Sequence, residues 1–125
     1  MKYLLDTHAI LWYAKGSDEL SNTAKSIIEN EDCYYNIVSL WEIALKQKLG
    51  KLDPQLSIIE LENFCKYANF KQIQLKSEYI EHTKRLDFIH KDPFDRLLIA
   101  NSIVEQMTLI TRDSIIPKYD VLTIW

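Results

Sequence analysis

The sequence predicts an α/β fold of three layers, with helices on both faces of a central, mostly parallel sheet of about five strands. Three observations carry this. Short apolar runs (2–6, 33–38, 70–75, 107–111 and 121–125) alternate with longer stretches of helical periodicity. The first and fourth runs are continuously apolar, as strands covered on both faces are. The stretch from Phe94 to Val104 is apolar over too wide an arc for a surface helix, so it must be largely buried. Strands that alternate with helices imply right-handed crossovers and a parallel sheet.

In chain order, Lys2-Tyr3-Leu4-Leu5 is a buried strand ended by Asp6, and Thr7 to Ala14 is a helix with Asp6 or Thr7 as its cap. Gly16-Ser17-Asp18 breaks it, and a second helix runs from a Ser21 cap to about Asn30. Cys33 to Val38 is the second strand. Ser39-Leu40-Trp41-Glu42 reads as a capping box opening a third helix that turns Trp41, Ala44, Leu45 and Leu49 inward and ends near Gly50. Asp53-Pro54 is a turn, and Leu56 to Tyr67 is an amphipathic helix. Phe70 to Leu75 is a weakly specified strand, followed by a helix from Lys76 to about Leu86.

The segment from His90 to Ala100 organises the rest. Asp92 is a good N-cap, Pro93 suits the first helical position, and Asp95 suits the positive end of the helix dipole. Met107 to Thr111 is a strand leading into Arg112-Asp113. Ser114 to Lys118 is a turn or short helix, and Val121 to Trp125 is the last strand.

A chain of 125 residues can bury a core as one domain, and an apolar content of 47% with two glycines argues against disorder. No apolar run reaches the roughly 18 residues of a membrane span, and no export signal precedes the first strand. Cys33 and Cys65 lack metal-ligand spacing and read as reduced thiols, so the expected location is the cytoplasm. A net charge of −3 taken alone argues against nucleic acid, an objection that weakens if several acids gather at one metal site.

In a parallel sheet, every strand's C-terminal end and every following helix's N-terminus lie on one edge, where ligands bind. That geometry assigns Asp6, Glu42, Asp95 and Asp113 to one rim. Each has an ordinary explanation alone: Asp6 as a cap, Glu42 as a capping-box partner facing Lys46, Asp95 as a dipole partner, Asp113 as a turn residue. Together they are harder to dismiss. Unit charges about 4 Å apart at an effective dielectric near 20 repel by roughly 4 kcal/mol, so converging carboxylates take up protons or collect a cation. Oxygen-only ligands suit Mg²⁺ or Mn²⁺, and a water activated by such an ion can attack a phosphodiester. His8, His82 and His90 stand in unrelated contexts, His8 as a packing residue, and no Gly-rich phosphate loop exists.

The set Leu4-Leu5-Asp6-Thr7-His8, Ser39 to Ala44, His90 to Arg96 and Thr111-Arg112-Asp113 resembles the PIN-domain ribonucleases, in particular the VapC-type toxins of bacterial toxin–antitoxin pairs. The likeness spans nearly the whole chain, with its motifs in order. It implies a PIN-like fold in which Asp6, Glu42, Asp95 and Asp113 form a catalytic, metal-binding pocket supported by Thr7 and Thr111. It also implies Mg²⁺ or Mn²⁺, endoribonuclease activity, a homodimer, and a cognate antitoxin whose tail covers the site. Arg96 and Arg112 adjoin the acids and are expected as phosphate clamps, with Lys46 and Lys91 as further RNA contacts and Lys48, Lys51 and Arg85 as outer candidates. Trp12, Trp41 and Phe94 are expected in the core. Apolar residues at 11–13 and 56–64 are expected at a dimer or antitoxin surface. Two rivals remain: a catalytically silent PIN-like binding module, and a phosphoacceptor signalling domain, which would want two adjacent acids where Asp6 stands alone.

Overall fold

The computed structural model describes residues 1–125. Its sheet holds five strands, β1 (Lys2–Leu5), β2 (Asp32–Asn36), β3 (Lys71–Ile73), β4 (Thr108–Ile110) and β5 (Thr123–Ile124), in the order β3-β2-β1-β4-β5. All four pairings are parallel. The chain steps from β1 to β2 to β3 in one direction, then returns past β1 to lay down β4 and β5 on its other side. The topological switch lies beside β1, between it and β4, where α/β sheets open a crevice at their C-terminal edge.

Six helices connect the strands: α1 (Thr7–Lys15), α2 (Asn22–Asn30), α3 (Ile37–Lys48), α4 (Ile58–Tyr67), α5 (Ser77–Thr83) and α6 (Pro93–Glu105), with a 3₁₀ turn at Ile116–Lys118. Period-two alternation in the strands splits the core. Tyr3, Leu5 and Ile110 face a layer with Ile10, Ile28, Ile43 and Leu61 from α1 to α4. Leu4 and Leu109 face the opposite layer, with Tyr79, Leu98 and Ile116. Helix α6 is enclosed as its composition requires, since every residue from Arg96 to Ser102 is buried. Asp92 caps it, accepting from the Phe94 and Asp95 amides. No helix is long and apolar enough to cross a membrane.

Helix α3 departs from expectation at both its start and its face. The expected capping box at Ser39 does not form. The cap is Asn36, whose side-chain oxygen accepts from the Val38 amide at 3.0 Å, and Ser39 Oγ is buried inside the helix with no partner. The β-branched pair Ile37-Val38 reads locally as strand, but Asn36 stops β2 and turns the chain. Its Nδ2 also donates to Asn101 Oδ1 of α6 at 2.9 Å, with both residues fully buried. The buried face therefore carries Leu40 and Ile43, while Trp41 is 64% exposed and Leu45 and Leu49 are exposed with it. Trp41 is thus not a core residue; Phe94 is half-buried and meets its ring edge-on at 5.3 Å.

The surface expected at 11–13 is closed: Leu11 is buried, and Trp12 and Tyr13 pack against the core. Exposed apolar side chains, Trp41, Leu45, Leu75, Ile80 and Phe88, gather instead along a groove of about 520 Å³ that half-buried Phe94 also lines.

Asn36→Ala removes a helix cap and leaves Asn101 unpaired in the interior. A loss of about 2–4 kcal/mol in urea unfolding is expected; a loss under about 1 kcal/mol would show that neither bond carries weight.

Candidate metal centre

Each rim acid owes its place to a local feature of the chain. Asp6 follows β1 and caps α1, accepting from the Ala9 amide at 2.8 Å. Glu42 sits in the second turn of α3, 2% exposed, where it accepts from the Thr7 hydroxyl at 2.5 Å and pairs with Lys46 Nζ at 2.8 Å. Asp95 lies in the first turn of α6. Asp113 stands in the loop after β4, its Oδ1 accepting from the Ile115 and Ile116 amides at 2.7 and 3.1 Å. The four acids line one pocket of about 210 Å³, together with Thr7, His8, Trp12, Lys46 and Arg112.

Electrostatics distinguish the members. Burial pushes the Asp6 carboxyl up, with Glu42 adding to the rise, while the Thr111 hydroxyl and the Ala9 amide pull it back. Asp95 is raised to about 7, first by burial and then by the carboxylates of Asp92 and Glu42. Burial works in the same sense on Asp113, yet the Ile115 amide, the His90 ring and the Ile116 amide outweigh it and hold that carboxyl below its usual range. Lys46 is moved up, since Glu42 overcomes the burial that would lower it.

Of the supporting residues expected, Thr7 binds Glu42, and Thr111 lies beneath the rim, buried, its hydroxyl accepting from the Asp113 amide at 3.1 Å. Lys46 and Arg112 reach the pocket. Arg112 stacks over Trp12 at 4.4 Å and pairs with Glu19. Lys91 borders the apolar groove instead, and Lys48, Lys51 and Arg85 do not line the pocket.

Arg96 cannot clamp a phosphate. It is 8% exposed, and its guanidinium donates to the backbone carbonyls of Thr83, Leu86, Asp87 and His90. Folding of the segment between α5 and α6 around α6 brings those carbonyls to it.

His90 was not expected at the site. Its Nε2 lies 3.1 Å from both Asp95 Oδ2 and Asp113 Oδ2. The available signal was its place two residues ahead of the Asp92 cap, where a side chain can fold back over the helix start. Trp12 and His8, stacked at 5.0 Å, line the pocket as well.

The residues present fit a hard divalent cation. Among the pocket's charged side chains, four carboxylates face two cations, and one of these, Arg112, is already engaged by Glu19. Asp95, raised to about 7 by burial first and then by its acidic neighbours, sits in a negative excess that an ion would relieve. Oxygen donors of this kind suit Mg²⁺ or Mn²⁺.

A family model described as the PIN domain matches residues 3–122. None of the curated proteins matches the sequence. Among solved structures, a chain of the VapBC2 complex from Rickettsia felis bound to a promoter DNA fragment superposes with a TM-score of 0.73 at 18% identity, covering 100% of this chain and 99% of that one. A chain of VapBC-1 from nontypeable Haemophilus influenzae gives 0.70 at 14% identity, covering 99% and 97%. A toxin–antitoxin complex from Klebsiella pneumoniae gives 0.67 at 16%, covering 98% and 96%.

Proposed function

This chain belongs to the PIN-domain family, and from that premise we propose that it is a metal-dependent endoribonuclease acting as the toxin of a toxin–antitoxin pair. The supporting observation is the convergence of Asp6, Glu42, Asp95 and Asp113, from four separate stretches of sequence, on one polar pocket at the sheet's switch point. In this reading Asp6, Glu42, Asp95 and Asp113 hold Mg²⁺ or Mn²⁺. Thr7 fixes the Glu42 carboxylate, Thr111 supports Asp6, and Lys46 prevents Glu42 from meeting its acidic neighbours with a full uncompensated charge. Arg112, at the pocket's edge over Trp12, is placed to receive a backbone phosphate. When bound, the ion supplies Lewis acidity toward the scissile phosphate and toward an attacking water. RNA fits this reading in spite of the net negative charge, because with four of the 18 acids in the pocket the remaining 14 stand against 15 Lys and Arg, and Arg112 and Lys46 lie at the pocket wall.

A cognate antitoxin belongs to the same reading, supported by the toxin–antitoxin complexes among the similar folds, and a homodimer and a cytoplasmic location are proposed with it. The test is cleavage of RNA by the purified chain with Mg²⁺ or Mn²⁺, its loss in chelator, and its loss in Asp6→Asn. The expected fall exceeds the ~10–100-fold typical of removing a supporting partner. RNA binding without turnover under any divalent ion would favour a silent binding module.

A further inference from the structure

We propose that His90 is a positioning residue whose Nε2–H is donated to Asp113 and whose ring, in contact with Asp95 as well, fills the place between them that a second cation would need, so that each chain takes up one divalent ion. This rests on the reading of the pocket as a metal centre and specifies its occupancy.

The tautomer follows from the ring's other nitrogen. The Asp92 amide donates to His90 Nδ1 at 3.3 Å, so Nδ1 presents its lone pair and the ring hydrogen belongs on Nε2. A nitrogen that carries hydrogen is a donor and not a metal ligand, although the donor atoms of His90, Asp95 and Asp113 lie within 4.8 Å of one another as a ligand set would. Nε2 donates to Asp113 Oδ2 at 3.1 Å and lies 3.1 Å from Asp95 Oδ2, so the ring stands between two carboxylates that would otherwise repel.

The ring is held in this place. Its backbone amide donates to the Tyr119 hydroxyl at 2.7 Å, its carbonyl accepts from Arg96 at 3.2 Å, and the Tyr119 hydroxyl donates to the Asp87 carbonyl at 2.7 Å. Asp113 is turned away from a bridging role in the same arrangement. Its Oδ1 takes the Ile115 and Ile116 amides while its Oδ2 faces His90. A second ion between Asp95 and Asp113 would have to displace the imidazole from that frame.

The experiment counts tight Mn²⁺ per chain by electron paramagnetic resonance in the parent, His90→Gln and His90→Ala, and reads the His90 tautomer by long-range ¹⁵N–¹H NMR before and after Mg²⁺. The parent is expected to bind one ion and to keep hydrogen on Nε2 when Mg²⁺ is added. His90→Gln, whose side-chain amide retains a donor, is expected to stay at one ion, and His90→Ala to rise to two. Two ions in the parent, hydrogen on Nδ1, or one ion in a folded His90→Ala would overturn the proposal. If His90→Ala does not fold, the parent's count and tautomer still decide. No tight ion in the parent would instead overturn the metal-centre reading itself.

Discussion

Asp95→Asn is expected to abolish RNA cleavage and, in protein freed of divalent ions, to raise the melting temperature at pH 8. Activity falls because the pocket loses an acid proposed to hold the ion. Stability rises because the folded protein holds this carboxylate at a cost. Its pKa stands at about 7 against 3.8 in the unfolded chain, because burial and the charges of Asp92 and Glu42 oppose ionisation. Between those values the folded state keeps a proton that the unfolded state has lost, so stability falls as pH rises from about 4 to about 7 and is level above it. Asp6, raised by burial, acts in the same sense. Asp113 acts oppositely, but its contribution is lost only as pH falls through its depressed pKa, below the window of interest. The gain in Asp95→Asn should reach roughly 1–3 kcal/mol, or ~5–10 °C, at pH 8 and vanish near pH 4. Since protons compete with the ion for the same oxygens, Mg²⁺ affinity of the parent should fall as pH drops below about 7. Thermal melts in chelator across pH 4–8 check the sign. An unchanged melting temperature at pH 8 would mean that the carboxylates do not crowd one another.

The second large effect lies at Arg96. Arg96→Met is expected to cost about 3–5 kcal/mol, because it strips a buried cation from four backbone carbonyls, of which only those of Thr83 and Asp87 keep a second donor. Nη1 donates to Asp87 O at 3.0 Å and His90 O at 3.2 Å, and Nη2 to Thr83 O at 2.8 Å and Leu86 O at 3.2 Å. Phe88 covers the guanidinium at 4.4 Å. Arg96→Lys should recover less than half of the loss, since an ammonium cannot span both sides of that fork. The segment stitched together here delivers His90 and the Asp92 cap, so Mn²⁺ affinity should fall in both variants. Urea unfolding within about 1 kcal/mol of the parent for either substitution would contradict the structural role.

The layered fold and the four acids were legible because they depend on period and punctuation. Apolar strands ended by Asp6 and followed by Arg112-Asp113 place carboxylates on one edge by topology alone, and Asp92-Pro93 marks the start of α6 without ambiguity. What failed depended on contacts between distant segments. The motif Ser39-x-x-Glu42 fits a capping box, yet Asn36 wins the cap because Asn101, far along the chain, holds its amide. Helix α3 is apolar on more than one side, so its pattern could not tell that Leu40 and Ile43 face inward and Trp41 outward. Arg96 beside Asp95 looks like a phosphate ligand in one dimension, whereas the carbonyls it serves converge only on folding. His90 was visible as a residue but not as a spacer between carboxylates, since its two acidic neighbours come from α6 and the loop after β4.

The central position of β1 sets the timing of assembly. Tyr3 and Leu4 pair on one side with Cys33 and Tyr34, and on the other with Thr108 and Leu109. Strand β1 is thus flanked by a strand made much later, and Asp6 waits for Asp113 until the segment after β4 has been made. On a ribosome, a partly made chain therefore lacks both the strand that closes the sheet and the fourth carboxylate. In the proposed reading, the pocket stays incomplete, and the message being translated is spared, until the segment that carries Asp113 has left the ribosome.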